Sequence, residues 1–108
     1  MFFNVTALAQ GSFSRAIDDL PLMDGLNERE GETMVFDSSS GRIVEALSTG
    51  NVTRQQVISF YSETLPQLGW RETSKGYFLR ENEVLKIEFS NPKKEKTLNV
   101  LFMLSPSQ

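Results

Sequence analysis

The spacing of apolar residues changes at Gly69-Trp70, and that change leaves the chain few folds to choose from. Before it, Val57, Phe60, Tyr61, Leu65 and Leu68 recur at helical intervals and make one apolar stripe. After it, the period becomes two. Segments 70–73, 76–80, 83–90 and 97–105 (WRET, GYFLR, EVLKIEFS, TLNVLFMLS) alternate as strands, separated by turn-forming residues. One amphipathic helix feeding a run of short consecutive strands predicts an α+β domain. The expected sheet is antiparallel, with the helix packed on one face.

The helix carries its own boundaries. Thr53 and Gln56 have the spacing of a capping box, in which each side chain bonds the other residue's backbone N–H. Pro66 lacks an N–H and so predicts a weakened last turn. Gly69 suits the left-handed residue that closes a helix, with Trp70 placed for the hydrophobic contact that follows. The dense FYSETLPQLGW segment therefore reads as a joint between helix and sheet.

Ahead of the helix, 33–36 and 42–48 predict a hairpin closed by 37–41 (DSSSG). Three serines before a glycine could form an anion-binding nest, but Asp, Ser and Gly are also what turns select, and no phosphate-loop pattern accompanies them. Residues 10–32 read as an extended arm: Pro21 and Asp24-Gly25 break helix, while Leu20, Leu22, Met23 and Leu26 are too apolar for a free tail. The arm is expected to lie on a single domain spanning 33–105, with 106–108 as a tail.

The final strand breaks the alternation. Leu98, Val100, Phe102 and Leu104 make one apolar face, yet Leu101 and Met103 make the opposite face apolar too. A strand apolar on both sides needs cover on both sides. The helix supplies one cover. The arm, a second copy or another partner must supply the other, so Leu101 and Met103 are the candidate interaction face.

At 108 residues with 39% apolar content, one core is all the chain can build. Neither Cys nor His occurs, which removes disulfides, thiol nucleophiles, imidazole bases and the usual zinc ligands. Catalysis would fall to residues such as Tyr61, Tyr77, Lys75 or the Asp18-Asp19 pair, none in a catalytic arrangement. The expectation is a non-enzyme that needs no cofactor or metal. A net charge of −3 argues against nucleic-acid binding, and no stretch approaches the ~20 apolar residues of a membrane helix. Residues 16–40 hold seven acids against Arg29 alone, either a solvated lead-in or a patch for a basic partner.

Ala7-Leu8-Ala9 before Gln10 has the small-x-small form of a signal-peptidase site. No basic residue precedes it, and Asn4 interrupts the short apolar run. The reading is the remnant of a secretory signal over residues 1–9 and export to the periplasm; the alternative is a chance motif in a cytoplasmic protein. Together with LPLMDGL at 20–26 and SGRIVEA at 40–46, FYSETLPQLGW resembles a family of small, exported, uncharacterised bacterial α+β proteins with an FYxxxLPxxGW segment. The resemblance covers about residues 20–105 and implies a fold and a compartment, with no catalytic residue to carry over.

Two functions follow as expectations. The first is protein interaction or self-association through the apolar face at Leu101 and Met103. The second is a pocket for an apolar small molecule or lipid between helix and sheet, lined by Phe60, Tyr61, Trp70, Phe78, Phe89 and Phe102. The same six aromatics would otherwise be a filled core.

Overall fold

The computed structural model describes residues 12–91 and 96–107. The expected cleavage site at residues 7–9 lies outside them. The strands are β1 Ser12–Phe13, β2 Pro21–Leu22, β3 Asn27–Glu28, β4 Met34–Ser38, β5 Gly41–Gly50, β6 Arg71–Ser74, β7 Tyr77–Arg80, β8 Glu83–Ser90 and β9 Leu98–Pro106. One α-helix, α1 Arg54–Thr64, lies between β5 and β6. β1 and β2 form a two-stranded ribbon. The others make an antiparallel sheet in the order β3-β5-β9-β8-β7-β6, with β4 also on β5. The α+β class, the helix and the antiparallel run after it are as the spacing predicts.

Local signals account for the helix and its exit. Thr53 Oγ1 accepts the Gln56 N–H at 3.1 Å and Gln56 Oε1 accepts the Thr53 N–H at 2.9 Å, closing the capping box. Val57, Tyr61 and Leu65 are buried, with Phe60 and Leu68 packed at the margin. Around Pro66 the helix tightens into a 3₁₀ turn, Leu65–Leu68. Gly69 then adopts φ 93°, where a side chain would be strained. Its N–H and that of Trp70 return to the carbonyls of Pro66 (3.2 Å) and Leu65 (3.1 Å), a Schellman-like closure. Trp70 is buried beneath the Arg80 guanidinium, 4.4 Å from the ring centroid.

Several boundaries differ from expectation. The β4–β5 connection is two residues, Ser39-Ser40, because Asp37, Ser38 and Gly41 stay in the ladder. β9 includes Pro106, one residue into the segment read as a tail. The arm is not merely laid over the domain: Asn27 and Glu28 pair with Thr49 and Ser48 as a strand of the main sheet.

The core has three components: α1, one face of the sheet, and the arm. Ile17, Leu20, Leu22, Met23 and Leu26 from the arm join Val57, Tyr61 and Leu65 from the helical segment. Val44, Ala46, Phe78, Leu85, Ile87, Leu98, Val100 and Phe102 complete it from the sheet. The arm is tied down by polar contacts at both ends. Ser14 Oγ accepts the N–H groups of Ala16 and Ile17 while donating to Glu28 at 2.6 Å. The Tyr61 hydroxyl donates to the Pro21 carbonyl at 2.7 Å and accepts the Met23 N–H at 3.3 Å. Ser48 Oγ, opposite Glu28 on this face, is buried with no partner among the described residues. Four acids of the lead-in are engaged: Glu28 by Ser14 and Arg15, Glu30 by Arg15, Glu32 by Arg29, and Asp19 by Arg80 of β7.

Candidate interaction face

Directly opposed residues of an antiparallel ladder lie on one face, so the register maps the side away from α1. One row runs Met34, Glu45, Met103, Lys86, Tyr77. Beside it lies Leu47, Leu101, Glu88. On the other flank are Phe36 with Ile43, then Ser105, Val84 and Leu79. Period two puts all of these opposite the core-facing Val44, Ala46, Val100 and Phe102.

Leu101 and Met103 therefore stand on the face away from the core, half-buried beside their in-sheet neighbours. The arm, one of the three covers considered for this face, is committed to the α1 side through Tyr61. Met34, Phe36 and Tyr77 on the open face are among the most exposed large apolar side chains of the described residues.

The face is not uniformly apolar. Lys86 Nζ sits 2.7 Å from the Glu88 carboxylate and 5.4 Å from the Tyr77 ring centroid. The hydrogen bond to Glu88, followed by that to Tyr77, holds the ammonium above its ordinary pKa. Glu45 is half-buried between Met34 and Met103.

The six aromatics expected to line a pocket divide into two groups. Tyr61, Phe78 and Phe89 line a cleft of about 510 Å³ between α1 and the β6–β7 end of the sheet. Val57, Ile58 and Ile87 add to its floor, and Arg54, Glu72 and Lys75 form its rim. Phe60, Trp70 and Phe102 do not line it. Phe102 is packed edge-on against Tyr61 at 5.3 Å, Trp70 is held under Arg80, and Phe60 stacks edge-on to Tyr61 at 4.8 Å. These three belong to the packed core or its margin, because the arm fills the space a pocket would need.

Sequence reasoning did not single out Met34, Val35 and Phe36 as a surface. Their alternation is that of any strand, and only the strand order shows that they lie on the sheet's margin. Among the described residues no group of three or more His, Cys, Asp or Glu is placed to hold a metal, and no helix is long and apolar enough to cross a membrane. Comparison with protein-family models, curated proteins and solved structures finds no match for this chain.

Proposed function

We propose that this protein is a small non-catalytic interaction or assembly domain whose working surface is the sheet face opposite α1. The observation that carries this reading is the position of the arm. With Ile17, Leu20, Leu22 and Met23 engaged on the helix side, no described segment covers Leu47, Leu101 and Met103. Full burial of a leucine-sized side chain is worth about 1.5–3 kcal/mol, and at most about a third of that remains to be gained at each such position. Together with the exposed Met34, Phe36 and Tyr77, the face offers enough apolar surface for an association of useful strength. The export expected from Ala7-Leu8-Ala9 and the resemblance to small exported bacterial proteins fit this reading, and with export the partner would be periplasmic.

The test is a photoreactive side chain at position 103, introduced in the cells that make the protein. It is expected to give a discrete cross-linked adduct, while the same probe at Gln55 on the wet side of α1 gives none. Leu101→Glu should abolish the adduct and leave the circular dichroism and denaturation midpoint close to wild type, since the side chain takes no part in the core. No adduct at position 103 would contradict the reading.

The cleft supports a second reading, a binding module for an apolar small molecule or lipid. Its floor is apolar and its volume is within the range of ligand sites. Native mass spectra recorded after incubation with bacterial lipid extract would then show a bound mass that Phe78→Trp, filling the floor, removes. Spectra of empty protein alone would rule it out.

A further inference from the structure

We propose that β4 is a self-pairing edge, through which two copies of this chain join antiparallel about a two-fold axis at Val35 into one continuous sheet. The proposal rests on the assembly reading above and adds to it a second copy of this chain at the sheet's edge, distinct from the partner on the open face.

The two margins of the sheet are built differently. At one, β6 has four residues, carries Arg71 and Glu72, and shifts register between Glu72 and Ser74. Shortness, charge and irregularity are the devices that keep an edge strand from pairing with another molecule. At the other margin, β3 covers β5 at Ser48 and Thr49, and β4 covers it from Gly41 to Glu45. β4 has none of those devices over its apolar half. It keeps regular register through all five residues, and its first three are Met34, Val35 and Phe36. Both of its faces are bare. Met34 (49% exposed) and Phe36 (44%) lie on the open face, and Val35 (54%) lies on the helix side, uncovered by α1.

The backbone of β4 is also aimed outward at the right residue. Arg29 N–H donates to the Leu47 carbonyl at 2.7 Å, so the main-chain groups of Leu47 point to the outer edge of β5. Those of Glu45 and Ile43, two and four residues back, point the same way and bond their partners Met34 and Phe36. Alternation then turns the N–H and C=O of Val35 and Asp37 away from β5, toward the free side.

Self-pairing further requires a register that the sequence tolerates. A two-fold axis normal to the sheet sets residues of the same face opposite each other, so it must pass through a residue. Centred on Val35, the pairing sets Val35 against the partner's Val35, with both N–H groups and both carbonyls in hydrogen-bonding position. Met34 meets the partner's Phe36 twice on the open face. Thr33 meets the partner's Asp37, and the pairing ends there because Glu30–Glu32 form a 3₁₀ turn. No two like charges oppose, and every apolar side chain of the strand gains an apolar neighbour. The open faces of the two copies become one surface.

Sedimentation velocity of the full chain over a wide concentration range tests this, with Val35→Pro, Val35→Lys and Leu101→Glu alongside. The Val35 N–H is not used within the monomer, so proline there removes an outward donor from an edge position without breaking the β4–β5 ladder. Lysine instead places a charge on the edge. The wild type is expected to dimerise reversibly. Val35→Pro and Val35→Lys are each expected to raise the dissociation constant at least about tenfold with unchanged circular dichroism, and Leu101→Glu to leave it unchanged. A wild type that stays monomeric overturns the proposal, including a monomer whose Val35 amide is protected from exchange, which would put another segment of the same chain along β4. A dimer that both Val35 variants leave intact, or that Leu101→Glu dissolves, overturns it as well. The assembly reading itself fails only on the adduct at position 103, so the two failures are separable.

Discussion

Tyr61→Phe is expected to destabilise the domain by about 2–4 kcal/mol, although it removes a single oxygen. Tyr61 is 1% exposed, and its hydroxyl serves two backbone groups of the arm, the Pro21 carbonyl and the Met23 N–H. Pro21 and Met23 are themselves buried, so phenylalanine strands both groups away from water. Each such orphan costs about 1–3 kcal/mol, the long 3.3 Å bond from Met23 contributing at the lower end. The loss should be uneven. Chemical denaturation reports the total, while amide exchange at Met23 should rise far more than exchange at Phe102 in β9.

The same hydroxyl sets an alkaline limit. Burial, with a small contribution from the Glu28 charge and against the opposing Met23 hydrogen bond, pushes the Tyr61 phenol well above its ordinary value of 10.0. Below that pH the phenol is neutral in folded and unfolded chains alike, and its contribution to stability is complete. Above it the unfolded chain releases the proton and the folded chain does not, so stability falls as pH rises further. Tyr61→Phe should lack this component of the decline.

Gly50→Ala is expected to cost about 3 kcal/mol, near the top of the range for overpacking. Here the arm crosses the end of β5 so closely that a Cβ on Gly50 would lie on the Gly25 carbonyl oxygen. It would also stand 2.9 Å from the Gly25 carbonyl carbon and 3.3 Å from the Leu26 Cα. All three obstacles are backbone atoms, which no rotamer change can move. The arm must shift, and with it Leu26 in the core and the pairing of Asn27 with Thr49. A denaturation midpoint within error of wild type would show that the crossing is looser than the structure has it.

Both substitutions act on the element that was hardest to read in advance. The helix and its exit were legible because their causes are local: Thr53 and Gln56 are three residues apart, and Gly69 and Trp70 close on Leu65 and Pro66. The strands were legible for a similar reason, since alternation at Leu85, Ile87 and Phe89 needs only the next residue but one. The arm has no such signal. Its docking depends on a hydroxyl 40 residues away from Pro21, and its strand pairing at Asn27 and Glu28 is only two residues long. The split of the six aromatics has the same origin, because whether Phe102 faces a pocket or a packed core is decided by what the arm brings to it. For Leu101 and Met103 the alternation puts the side chains on the second face, but only the course of the arm shows what is left uncovered.

Methionine methyl groups report on that uncovered face directly. Met23, Met34 and Met103 stand in the core, on β4 and on the open face of β9 respectively. Labelled at the methyl carbon and studied with a soluble paramagnetic relaxation agent, at a dilution that holds the monomer, Met34 and Met103 should be relaxed strongly and Met23 spared. A Met103 signal as protected as that of Met23 would mean that part of the chain already covers the face, and the account would be wrong.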